Sequence, residues 1–240
     1  MPKKTIACTI VALVVTGAGP ATAKTYPLPQ GNEVVPLDPS DFSTRIDNPF
    51  LPMPVGRRTI SRETTPEGDR LRTVVTITKR TKLLASGVTA RVVHDVTRDQ
   101  GRLVERTDDY YAQDRAGNVW YLGEATTAYE PGKAPSTAGS FEAGVGGAQG
   151  GVAMPGHPHK GQHYRQESDP GNAEDRAAII STHEQASVPF GHFSNVVMTR
   201  EHSPVEPRNV EFKFYARGTG EVLAISVSGD DDRAELIEVG

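Results

Sequence analysis

Residues 71–78 read LRTVVTIT and residues 92–97 read VVHDVT, and in both runs apolar and polar side chains follow a period of two. Successive side chains on a strand point to opposite faces of a sheet, so each run predicts a half-buried strand. Further runs of this kind lie on both sides, separated by short turns such as residues 99–101 and 114–118, which are hairpin signals. The pattern predicts a mainly β fold with little helix, in which an antiparallel meander forms a curved sheet, half-barrel or barrel.

The beginning of the chain has the pattern of a cleavable signal peptide over residues 1–23. Two lysines precede an almost unbroken apolar run at residues 6–15, and Ala21 and Ala23 provide the small side chains that signal peptidase requires. The apolar run is much shorter than the roughly 20 residues that span a bilayer, so no permanent membrane anchor is expected. We therefore expect a secreted, extracellular protein after cleavage at about Ala23.

The single cysteine and the net charge narrow the range of functions. Cys8 lies within the apolar run and not after a lipobox, so cleavage is expected to remove it and leave the mature chain without a thiol. The formal net charge of −4 argues against nucleic acid as a partner. Oligomeric state is not encoded in any feature of the sequence.

Composition divides the rest of the chain into a leader and one domain. Residues 24–56 are rich in proline, which fixes φ and removes backbone donors, so we expect an extended leader that Phe50 and Leu51 could hold on the domain. Residues 57–240 are expected to form a single β domain. Within it, residues 131–161 carry nine glycines and four prolines and are expected to form a long loop that is either functional or mobile.

One strand near the end of the chain allows the expected faces to be assigned. Residues 210–214 read VEFKF, and the period of two places the valine and the two phenylalanines together on one face. We expect Val210, Phe212 and Phe214 to be buried, with Glu211 and Lys213 exposed.

Six stretches of the chain have a distinctive sequence: IDNPFLPMPVG (46–56), YYAQDRAGNVWYLGE (110–124), SFEAGVGGAQGGVAMPGHPHKGQHYRQE (140–167), PGNAED (170–175), VPFGHFSNVVMTRE (188–201) and EFKFYARGTGEV (211–222). Through these stretches the chain resembles a family of uncharacterised secreted β-rich proteins found mainly in actinobacteria and related bacteria. The last two stretches also resemble exported bacterial half-barrel proteins of the lipoprotein-carrier kind, in which a strand follows a Val-Pro-x-Gly-x-Phe turn and a later strand ends at a Gly-x-Gly turn. The resemblance implies export and a β fold, and it implies no particular activity.

The densest group of aromatic residues lies on the two strands that flank the turn at residues 114–118. If the turn is centred there, Tyr110 and Tyr111 come close to Trp120 and Tyr121, with Glu124 nearby. Aromatic faces beside a carboxylate suit a sugar or an apolar ligand that carries a polar group. Cross-strand aromatic pairs that only fill the core of the sheet would give the same pattern.

Histidines and carboxylates offer two further candidate sites. His157, His159 and His163 lie within seven residues and could bind Zn or Cu, although their spacing matches no zinc motif and unpaired loop histidines would look the same. Glu167, with Glu174 and Asp175, could provide an acid and base pair or a site for a hard cation. Surface salt bridges with Arg165 and Arg176 would use the same carboxylates. No other cofactor is indicated.

These features leave three functions open. The first is an exported, non-enzymatic β domain that binds a small apolar or envelope-derived ligand on the concave face of its sheet. The second is a secreted carbohydrate-active lyase or hydrolase that uses Tyr and carboxylate residues of the strand pair at 105–124. The third is a metal-binding protein that uses the loop histidines. No nucleophile motif is present, which favours a protein that is not an enzyme.

Overall fold

The structure is a computed structural model that describes residues 26–65, 68, 70–228 and 232–240. The expected signal peptide, with Cys8 and the cleavage site at Ala23, lies outside the described residues. Among the described residues, no helix is long and apolar enough to cross a membrane. One 3-10 helix spans Pro39–Asp41. The strands are β1 (Phe42–Ser43), β2 (Arg58–Thr64), β3 (Arg70–Leu83), β4 (Thr89–Asp99), β5 (Arg102–Asp114), β6 (Val119–Ala128), β7 (Phe141–Glu142), β8 (Gln149–Met154), β9 (His163–Arg165), β10 (Glu167–Ser168), β11 (Arg176–Val188), β12 (Gly191–His202), β13 (Val210–Ala216), β14 (Gly220–Ser228) and β15 (Arg233–Val239).

The strands form one antiparallel sheet in which most strands pair with their neighbours in sequence. Strands β2 to β6 pair in order, strands β11 to β15 pair in order, and β15 pairs with β2 to join the two halves. The full order is β10-β8-β6-β5-β4-β3-β2-β15-β14-β13-β12-β11-β9, while β1 pairs with β5 and β7 pairs with β6 outside this path. The fold confirms the predicted antiparallel β meander.

The two ends of the sheet order are consecutive pieces of one stretch of chain. Strand β9 pairs with β11, strand β10 pairs with β8, and only Gln166 separates them. The backbone N–H groups of Gln166 and Glu167 donate to the carbonyl oxygen of Asp175, just before β11. Residues 163–168 thus connect the two ends of the sheet and nearly close it into a barrel.

Residues 46–56 of the leader cover one end of this barrel. Asn48 is buried, and its Nδ2 donates to the carbonyl oxygens of Gly117 and Pro155 at 2.9 and 3.1 Å. Its Oδ1 accepts from the backbone N–H groups of Phe50 and Leu51 at 2.8 and 3.1 Å. We call residues 46–56 the plug, because these bonds hold Phe50 and Leu51 between the β5–β6 turn and the loop after β8.

Apolar packing is concentrated in two main clusters. The larger cluster includes Trp120, which is fully buried and makes edge contacts with Tyr26 and Phe42 of the leader. The second cluster lies between the tip of the β11–β12 hairpin and strands β13 to β15. Register shifts along this hairpin and the left-handed backbone of Asn195 bend it, so that the N–H of Phe190 reaches the carbonyl oxygen of Leu236.

The glycine-rich stretch at residues 131–161 is not a continuous loop, contrary to the sequence prediction. Residues 141–142 form β7, and residues 149–154 form β8, which is part of the barrel wall. A Cβ atom at Gly151 would collide with the carbonyl oxygen of Arg165 in the closing segment. Glycine here permits close approach of two backbones, and composition alone does not separate this use from flexibility.

The faces of β13 were also assigned incorrectly from the sequence. Val210, Phe212 and Phe214 are only partly buried, and Lys213 projects into the barrel interior. Phe214 packs at the margin of the second cluster, beneath the β11–β12 hairpin. The apolar face of this strand is therefore covered from outside the barrel.

Replacement of Asn48 tests whether the plug is fastened by its side chain. Asn48→Ala should lower the free energy of unfolding by about 1–3 kcal/mol, because it leaves buried backbone groups of Gly117, Pro155, Phe50 and Leu51 without a partner. Urea unfolding measures the change, with Asn209→Ala at an exposed position as the control. Equal stability of the two variants would contradict the role given to Asn48.

Candidate functional site

Two neighbouring cavities lie inside the barrel, with volumes of about 370 and 300 Å³. Their walls share Leu51 of the plug with Tyr111, Lys213 and Glu221. The remaining wall residues come from strands all around the sheet, so the cavities occupy the barrel interior. Nine carboxylates line this interior, five in each cavity with Glu221 common to both: Glu63, Asp95, Asp109, Glu124, Glu167, Asp175, Glu201, Glu211 and Glu221.

The alternation of the strands explains why charged side chains reach the interior. On β13, Glu211, Lys213 and Tyr215 are two residues apart and all line the cavities. Glu221 lies directly opposite Tyr215 in the register of β13 and β14. Its side chain is exposed, although it lines both cavities, so water reaches the interior at this position.

Two tyrosines form an aromatic surface on one side of the interior. Tyr111 and Tyr121 are paired across β5 and β6, and their ring centroids are 5.0 Å apart. The Tyr121 hydroxyl lies within hydrogen-bond distance of Asp109 Oδ1, at 2.8 Å, and of Glu124 Oε2, at 3.1 Å, and its one proton is available to either carboxyl group. These bonds fix two of the interior carboxyl groups beside the aromatic surface.

A β-bulge at Gly123 places Tyr121 and Glu124 on the same face. Residues three apart on a regular strand point to opposite faces, but two steps along β5 here oppose three steps along β6. Gly123 has a φ of 142°, and a Cβ atom there would lie 2.5 Å from the carbonyl oxygen of Phe141. The bulge therefore requires glycine and builds this part of the site.

Burial raises the pKa of most interior carboxyl groups. Burial, assisted by neighbouring carboxylates, raises the pKa of Asp95 and of Glu124 to about 7. Glu221 also has its pKa raised to about 7: although water reaches this side chain, the surrounding barrel walls reduce its hydration, and this outweighs the opposing effect of Lys213. The pKa of Glu167 rises to about 9 through burial and the nearby Asp175. Asp95, Glu124 and Glu221 therefore exchange protons near neutral pH, whereas Glu167 stays protonated there.

Lys213 is the basic side chain at the centre of the interior. Its Nζ lies 3.1 Å from Glu201 Oε2 and 3.3 Å from Glu211 Oε2. Burial alone would raise the pKa of Glu201, but Lys213 and hydrogen bonds from Thr199 and Gln166 hold it below its usual range. Glu201 is thus a charged, paired carboxylate, unlike most of its neighbours.

The structure separates the five aromatic and acidic residues that the sequence grouped as a ligand site. Tyr111, Tyr121 and Glu124 line the smaller cavity. Tyr110 and Trp120 lie on the opposite faces of their strands, in the apolar cluster, and line neither cavity. The Trp120 indole N–H donates to the buried carboxylate of Asp114 at 2.9 Å, which satisfies its polar group within the fold.

The three histidines proposed as metal ligands do not form a ligand set. His157 and His159 lie in the loop after β8, His163 begins β9, and all three are exposed. Within the described ranges, no three His, Cys, Asp or Glu side chains are arranged so that they could hold a metal ion. Closeness in sequence did not bring these imidazoles together, because the chain passes from the loop into a strand between them.

Sequence reasoning found part of the acidic group and missed the rest. Of the proposed carboxylates, Glu167 and Asp175 line the smaller cavity, where Asp175 helps to raise the pKa of Glu167, whereas Glu174 lines neither cavity. Asp95, Glu221 and Lys213 were not proposed as site residues. Their signal was the presence of charged residues at inward positions, such as Glu211 and Lys213 on β13, which is visible only when the inner face is known.

The comparisons with known proteins found similarity only to solved structures, and at low sequence identity. No protein-family model matches the chain, and no curated protein matches it. A proposed lipoprotein from Parabacteroides distasonis is 13% identical, with a TM-score of 0.44, and the match covers 80% of this chain and 98% of that one. A proposed exported protein with a YmcC-like fold from Bacteroides fragilis is 14% identical, with a TM-score of 0.43 and the same coverage. A beta-barrel-like protein from Brucella abortus, with a domain of unknown function, is 13% identical, with a TM-score of 0.39, covering 78% of this chain and 97% of that chain.

The raised pKa of Glu167 predicts that the stability of the protein depends on pH. The folded protein keeps the proton up to about pH 9, whereas the unfolded chain releases it near the ordinary pKa of 4.5. Stability should therefore fall as pH rises between these values, by up to about 1.4 kcal/mol per pH unit from this group. Glu167→Gln should remove that contribution, so its stability relative to wild type should grow with pH.

Urea unfolding at about pH 5, 7 and 9 measures this difference for Glu167→Gln against wild type. The control is Glu130→Gln, because Glu130 is exposed and its salt bridge with Lys133 lies at the surface. Parallel stability curves for wild type and Glu167→Gln would show that the Glu167 carboxyl is not held protonated.

Proposed function

We propose that this protein is an exported, non-enzymatic binding protein that holds a small polar ligand inside its barrel. The observation that carries the proposal is the water-accessible interior, lined by three tyrosines and nine carboxylates and covered at one end by the plug. Export is part of the proposal, based on the signal-peptide pattern at residues 1–23. The barrel provides the walls, and the inward side chains provide the recognition groups.

The chemistry of the walls changes the ligand class expected from the sequence. An apolar ligand would remove water from the carboxyl groups without replacing their hydrogen bonds, which is costly. A ligand with several polar groups can replace those bonds, while its carbon skeleton contacts Tyr111 and Tyr121. We therefore infer a polar ligand in place of an apolar or envelope-derived one.

The size of the interior supports a small molecule. Each cavity lies near the lower end of the range of about 300–1,000 Å³ that is usual for small-molecule sites. Plug residues line the larger cavity, so a ligand there would contact Leu51 and Met53 at one end. A macromolecular partner would have no room within these walls.

A bulky side chain in the wall tests the proposal. Ala153 lines the smaller cavity, so Ala153→Trp should fill part of the space that a ligand needs. We expect the full-length wild-type chain to gain thermal stability with at least one member of a metabolite panel, and we expect Ala153→Trp to abolish that gain. Differential scanning fluorimetry measures both.

The matched control is Ala178→Trp, because Ala178 lies on the face of β11 opposite to the buried Ala177 and Ile179. It should keep the response of the wild type. If no compound stabilises the wild type, or if Ala153→Trp responds fully, the interior is not a binding site.

A second candidate function, a carbohydrate-active enzyme, is favoured by one observation. Glu167 and Asp175 line the same cavity as Tyr121, and burial together with the nearby Asp175 raises the pKa of Glu167 to about 9. A carboxyl group that is held protonated at neutral pH near a second carboxyl group can serve as a general acid.

An assay for new reducing ends or unsaturated sugars, on a panel of bacterial and plant polysaccharides, tests this function. Wild type should release product, and Glu167→Gln should reduce the rate by about 10²-fold or more if the carboxyl transfers a proton. Equal rates in the two proteins, or no product from wild type, would exclude this role for Glu167.

A further inference from the structure

The interior carries a large excess of acidic over basic side chains. Nine carboxylates line the two cavities, whereas Arg57 and Lys213 are the basic residues among the same wall residues. Lys213 is already engaged by Glu201 and Glu211. Arg57 donates to the carbonyl oxygen of Gly218 at 3.1 Å, beside the plug. Both basic side chains of the interior are therefore already engaged, and most of the interior carboxyl groups have no positive partner.

The remaining carboxyl groups face one another across the same space. In the described part of the chain, no salt bridge joins Asp95, Asp109, Glu124, Glu167 or Glu221 to a basic side chain. Asp95 is influenced by Glu105 and Glu124, while Glu124 is influenced by Glu105 and Asp175. Like charges held this close cannot all ionise unless a positive charge enters between them.

Two buried polar atoms outside the acidic group also have no partner. The Tyr164 hydroxyl is buried in a residue that is only 1% exposed, and it lies within the electrostatic influence of Glu201 and Lys213. The Oε1 atom of Gln166, whose side chain lines the smaller cavity, accepts no hydrogen bond. Buried polar atoms without a partner are rare and costly, and both of these can accept from an N–H donor.

We propose that the ligand of this interior is an organic cation that carries N–H donors, such as an amine or a guanidinium compound. The inference rests on the proposed function, since it names the class of ligand for the same cavity. An ammonium group supplies the missing positive charge and donates to carboxylates and to the Gln166 amide oxygen. An organic cation can also lie against the faces of Tyr111 and Tyr121 by a cation–π interaction.

The other ligand classes fit these walls less well. An anion would meet the field of the carboxylates, with Lys213 already paired. A neutral polyol would form hydrogen bonds but would leave the repulsion among the carboxyl groups unrelieved.

Three compounds with the same six-carbon skeleton separate these classes: 1,6-diaminohexane, 1,6-hexanediol and adipate. Calorimetry with the full-length protein at about pH 8 should give binding of the diamine that is about tenfold or more stronger than that of either other compound. Binding should strengthen between about pH 5.5 and pH 8.5, because Asp95, Glu124 and Glu221 have pKa values of about 7 and lose their protons over this range. The diamine stays charged throughout.

Two isosteric variants locate the site. Asp95→Asn and Glu124→Gln each remove one interior charge and should weaken diamine binding by about tenfold or more. Glu130→Gln, at an exposed position, should bind as the wild type does. Circular dichroism verifies the fold of each variant, and Glu221→Gln replaces either one that fails to fold, because Glu221 is exposed to water in the cavity.

The outcomes distinguish this inference from the proposed function. Preferred binding of the diamine, weakened in both interior variants, supports the inference. Equal or better binding of the diol or adipate overturns it and leaves the proposed function standing. Diamine binding that the interior variants do not weaken also overturns it, since the site then lies elsewhere. If none of the three compounds binds but a metabolite in the panel is lost in Ala153→Trp, the inference fails alone; if no compound binds at all, both fail.

Discussion

Residues 163–168 carry the backbone hydrogen bonds on which the barrel depends. Strand β9 extends one end of the sheet and β10 extends the other, so this single stretch serves as the edge of both. The guanidinium of Arg165 adds hydrogen bonds to the carbonyl oxygens of Gly31, Glu33 and Gly150, which tie the leader and β8 to the same stretch. Closure removes the exposed edges that an open sheet would present, and it also encloses the interior.

The enclosed interior has a cost that other parts of the fold must offset. Small barrels are commonly filled by apolar side chains, whereas here the centre holds Lys213 and many carboxyl groups. Much of the apolar burial lies elsewhere, in the cluster around Trp120 beneath the leader and in the cluster beneath the β11–β12 hairpin. Carboxyl groups whose pKa values are raised by folding reduce the stability of the protein at neutral pH. Such an arrangement is typical of functional sites.

The sequence predicted the strands well and their inner face poorly. A period of two identifies a strand whichever face is buried, so the runs at 71–78 and 92–97 were recognised correctly. Which face lies inside depends on what covers the other one. The leader covers Trp120 and the hairpin covers Phe214, and neither contact can be derived from local pattern. For the same reason Lys213 was expected at the surface.

The sequence predicted site residues correctly only where a tight turn joins two neighbouring strands. Tyr111, Tyr121 and Glu124 were proposed because a tight turn brings β5 and β6 together, and the bulge at Gly123 could not be foreseen. The groups contributed by β4, β13 and β14 come from distant parts of the sequence, and only the closed sheet brings them to one space. The proposed metal site of three histidines rested only on their nearness in sequence, and the structure does not bring them together in space.

The plug makes the two ends of the barrel different. Asn48 anchors a segment that covers one end, and the cavity walls extend from Leu51 there to Glu63 and Glu211 towards the other ends of their strands. Glu221, where water reaches the interior, follows the β13–β14 turn, and the Gly218 N–H in that turn donates to the carbonyl oxygen of Pro49 in the plug. The plug therefore lies beside this opening. Any exchange of small molecules between the interior and the solvent at this position would depend on whether the plug stays in place or moves aside.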